Sequence, residues 1–190
     1  MLRVLKNGKR FPFSRGILAR SLSTTGLPLE TIYSLIEDIR KDLEESGIQE
    51  IDSKKLRSRV SETLRSQGYE AQERNYLVSR RLAELDQPVI VLIGGATGVG
   101  KSAIAAELAN RLGIERVIGT DVIREIMRYM IPEQLIPVLH ASSFEVETLV
   151  HDPFVEDALI YGFGRQATLV REGTRAYIER CIKEGVSSVI

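Results

Sequence analysis

Eight consecutive residues, Gly95-Ala96-Thr97-Gly98-Val99-Gly100-Lys101-Ser102, place glycines, a lysine and a hydroxyl at the spacing G-x-x-x-x-G-K-S. The chemistry that needs this arrangement is the holding of a polyphosphate. Glycines let successive backbone N–H groups turn inward around phosphate oxygens, where side chains would obstruct them. A helix following the loop adds the partial positive charge of its N-terminus. On this reading Gly95, Thr97, Gly98, Val99, Gly100, Lys101, Ser102 and Ala103 surround the phosphates of ATP. Lys101 reaches the β- and γ-phosphates, and Ser102 offers its hydroxyl to a Mg²⁺ ion bridging them.

The flanking residues supply the elements such a loop requires. Pro88-Val89-Ile90-Val91-Leu92-Ile93 is short, almost entirely apolar and rich in β-branched residues, which predicts a strand buried on both faces. Ala103 to Leu112 reads as the helix after the loop. Arg116-Val117-Ile118-Gly119 is a second short strand, and Thr120-Asp121 opens a helix carrying Ile123, Ile126 and Met127. Strand, helix, strand, helix is the pattern of a parallel sheet, whose ligands bind at the carboxyl ends of the strands. Asp121 falls at that edge, either as a reactive carboxylate or as the N-cap of its helix.

Arg124 and Arg128 stand four apart and share a helix face. Two guanidinium groups at a ligand edge suit a phosphorylated substrate; the alternative is a solvated face paired with Glu125 or Glu133. From Ile131 to Pro153 periodicity is poor, and Pro132 and Pro137 argue against a long helix. Within it Leu139-His140-Ala141-Ser142-Ser143 concentrates groups able to hold a carboxylate or hydroxyl. His140 has no second histidine or acid at zinc-ligand spacing. A long helical pattern then runs from Val155 to Gly185, with Gly162, Gly164 and Gly173 as kinks or sites of close packing, and Val186 to Ile190 reads as a third strand.

Bulk properties narrow the function classes. The 190 residues include 26 basic and 26 acidic side chains, so the zero net charge offers nothing to nucleic acid. A single cysteine, Cys181, excludes an internal disulfide and fits a reducing compartment. No apolar stretch approaches the ~20 residues of a membrane span, and the first residues lack the apolar core of a signal peptide. A cytoplasmic protein with no membrane partner is expected.

Upstream of the loop, the alternation from Arg3 to Phe13 around Asn7-Gly8 predicts a β-hairpin. A short helix follows over Ser14–Leu22, and longer ones over Pro28–Ser46, from Asp52 or Ser53 to Gly68, and over Tyr69–Leu85. Lys6, Lys9 and Arg10 on the hairpin serve either to keep an edge soluble or to bind an anion. Val4, Lys6 and Gly8, then Phe11 and Arg15, make this region similar to the ATP-cone, a regulatory nucleotide-binding domain; the resemblance assigns Lys6, Lys9, Arg10 and Arg15 to a regulatory nucleotide. Glu84-Leu85-Asp86-Gln87-Pro88 is the natural boundary, giving an α+β cone-like domain over residues 1–86 and a P-loop kinase-type α/β portion, about three parallel strands with flanking helices, over 87–190.

Taken together, Phe11–Gly16, Val91–Gly95, Gly119–Glu125 and Leu139–Ser143 resemble archaeal-type 2-phosphoglycerate kinase, which joins an ATP-cone-like region to a P-loop kinase. The resemblance implies transfer of phosphate from ATP, with Mg²⁺, to the 3-hydroxyl of 2-phosphoglycerate. The product is 2,3-bisphosphoglycerate, a precursor of cyclic 2,3-diphosphoglycerate. It makes Lys101 and Asp121 catalytic, Asp121 orienting or deprotonating the hydroxyl. Arg124, with Arg128, takes the substrate phosphate, and His140 with Ser142 or Ser143 lies near its carboxylate. The family pattern continues beyond Ile190 with an E-G-V-H stretch, and no acid follows Val186–Ile190 to complete the Mg²⁺ site from a neighbouring strand. The chain therefore reads as an amino-terminal portion or a degenerate copy. The alternatives are a kinase of another small hydroxyl substrate and a non-catalytic ATP-binding regulator.

Overall fold

Alternating apolar and basic residues at the start of the chain form β1 (Arg3–Lys6) and β2 (Lys9–Pro12), antiparallel, with Val4 opposite Phe11 and Lys6 opposite Lys9. The computed structural model describes residues 2–6, 8–151 and 154–190. Asn7 of the expected hairpin turn and Pro153, the end of the expected irregular stretch, lie outside the described residues. Gly8 takes φ +74°, the left-handed conformation such a turn uses.

The chain divides into two compact units, one of Met1–Leu85 with Ala106–Glu115, the other of Asp86–Ala105 with Arg116–Ile190. In the first, the Ser14 hydroxyl caps α1 (Arg15–Leu22) by accepting from the Ile17 amide. Pro28 opens α2 (Leu29–Glu45), whose Ile32, Leu35, Ile36, Ile39 and Leu43 are buried as their helical spacing predicts. The sequence reading missed β3 (Glu50–Asp52), which adds parallel to β1 and gives the sheet order β2-β1-β3. Three residues carry too little alternation to stand out, and only Ile51 is buried. The Asp52 carboxylate then caps α3 (Ser53–Ser66) at 2.7 Å from the Lys54 amide, and α4 (Glu70–Leu82) follows. Val60 and Leu64 of α3 and Tyr76 of α4 join the α1 and α2 stripes in one apolar cluster.

The second unit contains β4 (Ile90–Val91), the start of α5 (Lys101–Leu112), β5 (Arg116–Val117), α6 (Thr120–Met130), α7 (Pro137–His140), α8 (Ala158–Glu184) and β6 (Ser188–Val189). Its strands are all parallel in the order β4-β6-β5, with Ser188 level with both Ile90 and Arg116. This corrects the expectation that the strand before the glycine-rich loop is buried on both faces. β4 is an edge strand, half-buried, and Leu92 just beyond it is 66% exposed; the buried central strand is β6.

The stretch expected to be irregular holds α7 and a 3-10 turn, Val146–Leu149. α8 starts at Ala158, three residues later than predicted, where the Asp157 carboxylate accepts from the Ile160 amide. Two of its glycines are sites of close approach. A Cβ on Gly162 would lie 2.9 Å from Val146 Cγ2, and one on Gly173 would lie 2.8 Å from both Ile123 Cγ2 and Met127 Sδ. Gly173 thus lets α6 settle directly onto α8, whereas Gly164 faces open space. Among the described residues no helix is long and apolar enough to cross a membrane.

Candidate functional site

β4 delivers the chain into Gly94–Gly100, exposed throughout, with φ +81° at Gly98 and +84° at Gly100. Only glycine adopts these angles without strain, and they turn neighbouring amides to the inside of the loop. The Ile104 amide donates to the Gly100 carbonyl at 3.1 Å, so α5 begins at Lys101, two residues earlier than predicted. Lys101 and Ser102 therefore sit in the first helical turn, where backbone N–H groups point outward without intrahelical partners. Lys101 Nζ donates to the Ala96 carbonyl at 2.6 Å, and its stem passes 3.5 Å from where a Cβ on Gly95 would stand. The lysine is folded back across its own loop. Ser102 and Ala103 are exposed beside it.

Among the described residues there is no group of three or more His, Cys, Asp or Glu able to hold a metal ion. The exposed Ser102 hydroxyl at the helix start still fits a Mg²⁺ ion that draws its other ligands from nucleotide phosphates and water, the mode this ion favours.

A cleft of about 520 Å³ opens at the carboxyl edge of the same sheet. Leu92 beyond β4, Thr120 and Asp121 beyond β5, and Arg124 line one side. Ser143 lies between, and α8 supplies Phe163, Gln166, Val170, Arg171, Thr174 and Arg175. Asp121 is exposed in the first turn of α6. Its expected alternative as N-cap is not realised, because Gly119 occupies that position and no side chain caps the helix.

The predicted arginines turn out to be heavily engaged. Arg124 donates to the Leu139 carbonyl at 3.4 Å, to Ser143 Oγ at 3.2 Å and to the Ala141 carbonyl. Burial, and then the adjacent Arg128 charge, push its guanidinium below the ordinary arginine value. Arg128 donates to the carbonyls of Leu139 at 2.8 Å and of His140 and Ala141 at 3.0 Å, and pairs with Glu125 at 2.6 Å as the solvated-face alternative anticipated. Gln166, 3% exposed, accepts from Ser143 Oγ at 2.6 Å and donates to Val138 and Ala141 carbonyls at 2.8 and 3.1 Å. Three side chains thus converge on the single carbonyl of Ala141.

The structure brings Asp121, Arg124 and Ser143 into the cleft but not Arg128 or His140. Those two line a separate depression with Glu125, Ile126, Tyr129 and Met130, and His140 Nε2 is 2.7 Å from the Ile131 carbonyl. Ser142 turns its hydroxyl to the Phe144 amide at 3.3 Å. Sequence reasoning missed the α8 contribution. The signal was present as polar residues at the core period, since Gln166, Val170, Thr174 and Ile178 recur every four residues.

In the first unit, Lys6 and Lys9 lie directly opposite each other and exposed at the hairpin end, on the strand face shared by Val4 and Phe11. Arg10 pairs instead with Glu50 at 2.9 Å, and Arg15 with Glu37 at 2.9 Å.

Comparison with known proteins finds a domain match and several relatives. Residues 1–85 match the ATP cone domain. The chain is 42% identical over 181 residues to the 2-phosphoglycerate kinase of Thermococcus kodakarensis, covering 95% of this chain and 62% of that protein. Its identity to the Pyrococcus furiosus 2-phosphoglycerate kinase is 40% over 192 residues, covering 100% of the chain and 64% of the relative. For that of Methanocaldococcus jannaschii it is 42% over 189 residues, 98% and 60%. The chain thus spans less than two thirds of the length of these relatives. No solved structure matches it.

Proposed function

We propose, from the kinship of nearly the whole chain to archaeal 2-phosphoglycerate kinases, that the second unit carries the ATP and acceptor sites of an ATP-dependent kinase acting on 2-phosphoglycerate in the cytoplasm. One observation carries the reading: Leu92, two residues before the glycine-rich loop, also lines the arginine- and aspartate-bearing cleft. A triphosphate held by the loop and an acceptor in that cleft would meet at one edge of the sheet.

The loop amides and Lys101 hold the β- and γ-phosphates of ATP. Ser102 would ligate Mg²⁺, which supplies charge neutralisation on the transferring phosphoryl group. Asp121 orients the acceptor hydroxyl and takes its proton. The hydroxyl oxygen bonds to the γ-phosphorus as the bond from that phosphorus to the β–γ bridging oxygen breaks, giving 2,3-bisphosphoglycerate and ADP. With 2,3-bisphosphoglycerate as its product, the reaction supplies a precursor of cyclic 2,3-diphosphoglycerate. Positioning and fixed charge provide most of the rate enhancement, since phosphoryl transfer asks for little covalent participation by the protein. The first unit, an ATP cone domain, binds a second nucleotide as a regulator through Lys6 and Lys9, with Arg10 and Arg15 released from Glu50 and Glu37.

The test is transfer from labelled ATP, with Mg²⁺, to 2-phosphoglycerate, glycerate and nucleosides in parallel. Transfer to 2-phosphoglycerate above the other acceptors supports the reading. A preference for a nucleoside replaces the acceptor. ATP binding without transfer to any of them makes the chain a nucleotide-binding regulator.

A further inference from the structure

Arg124, Arg171 and Arg175 line the cleft, with Arg128 one helical turn beyond Arg124, and these side chains differ sharply in what it costs to release them. Arg124 and Arg128 each donate to three acceptors on the segment from Leu139 to Ser143. Freeing Arg128 would take its donor from the His140 carbonyl, and freeing Arg124 would take a donor from Ser143 and from the Leu139 and Ala141 carbonyls it shares, costs of the same order as the bonds themselves. Arg171 and Arg175 are bound differently. Arg171 is 70% exposed and reaches only the carboxylate of its neighbour Glu172, at 3.2 Å. Arg175 is 69% exposed and pairs with Glu179 at 2.9 Å on the same helix. Such solvated pairs contribute little and give way readily to a stronger anion.

We infer that Arg171 and Arg175 of α8 are the pair that recognises the phosphate ester of the acceptor, while Arg124 and Arg128 brace the opposite wall of the cleft. This inference rests on the reading of the cleft as an acceptor site. The two guanidiniums stand one helical turn apart, about 6 Å along the axis, a spacing at which both reach one tetrahedral dianion. Thr174 between them lines the same cleft, with its hydroxyl turned back to the Val170 carbonyl at 2.8 Å. Thr120 and Asp121 line the same cleft from the start of α6. An acceptor anchored by its ester at α8 would direct a hydroxyl on the neighbouring carbon towards Asp121, so the pair sets which end of the molecule faces the nucleotide.

The experiment is titration calorimetry on the wild-type chain, R171A, R175A and the double variant. The probes are 2-phosphoglycerate, glycerol 3-phosphate and inorganic phosphate, with glycerate as the unphosphorylated control and ATP·Mg²⁺ as the check on the loop. Loss of one hydrogen-bonded charge is expected to weaken each phosphate compound about tenfold, and loss of both about a hundredfold. Glycerate and ATP affinities stay unchanged, and Arg171→Lys recovers part of the loss. Wild-type affinity for the phosphate compounds in the double variant overturns the inference, as does the failure of all three to bind the wild-type chain. Binding of glycerol 3-phosphate through both arginines without binding of 2-phosphoglycerate removes the proposed acceptor and leaves the arginine pair standing.

Discussion

In the first unit Leu22, Leu35, Ile36, Leu43, Val60 and Leu64 are all but completely buried in one cluster, whereas in the second Val122, Ile126, Tyr129, Phe144 and Phe163 are each more than half exposed. The cohesion of the first unit comes from apolar burial on stripes that carry no chemistry. The second buries a smaller apolar set, Ile123, Leu139, Val146, Cys181 and Val189, and adds polar side chains bonded to carbonyls and glycines that admit close helix contact. There the residues that hold the fold are neighbours of those proposed to react, and some are the same residues. A substitution in the apolar stripes of the first unit should therefore cost stability alone, while one at the packing contacts between α6 and α8 in the second should alter stability and site together.

Asp121→Asn is expected to have the largest effect, because it removes the proposed base and keeps the shape. Turnover should fall about 10²–10⁴-fold, with ATP affinity and melting temperature nearly unchanged. Loss of stability with turnover intact would make Asp121 a structural residue of α6. Next, Ile36→Ala in the first unit should lower stability by about 2–5 kcal/mol in a denaturant titration, leaving ATP·Mg²⁺ binding at the glycine-rich loop as it was. A parallel loss of loop affinity would break the contrast between the units.

Gly173→Ala tests the entanglement of the second unit. Its new methyl must displace Ile123 and Met127 on α6, which bears Asp121 and Arg124. A cost of about 1–3 kcal/mol is expected, accompanied by a rise in acceptor KM; Gly164→Ala, facing open space, is the control that leaves both alone.

The smallest effect is a pH dependence in the first unit. The Arg65 guanidinium, and then the Ser61 hydroxyl, hold the Glu73 carboxyl below its ordinary 4.5. A lowered folded-state value means that the stabilisation is present above the ordinary range and is lost as pH falls through the lowered one. Thermal melts from pH 6 downward should show the first unit weakening on that limb, and Glu73→Gln should flatten it.

Much of this was legible because it is written in local periodicities. The stripe of α2, the hairpin and the glycine-rich loop each depend on residues within one turn or one strand of each other. What was not legible depends on distant partners. Two-residue β4 cannot reveal from its own apolar run that, among the described residues, it pairs on one side only. Arg128 and Arg124 share a helix face as their spacing requires, yet the carbonyls and hydroxyl they serve lie 11 to 19 residues away, and those acceptors decide their roles. Arg171 and Arg175 look from sequence like ordinary surface charges, and only the seating of α8 beside α6 through Gly173 puts them into a cleft with Asp121.

The place of β6 between β4 and β5 also sets an order of events. Among the described residues the other two strands have no ladder with one another, and each is secured through β6. Val89 meets Ser187 across 98 residues, and Arg116 meets Ser188 across 72. Closing spans of that length is entropically costly and slow compared with winding a helix or closing a hairpin. The hairpin and helices of the first unit can form while this sheet is still waiting for its middle strand, and the glycine-rich loop acquires its rigid support late in folding.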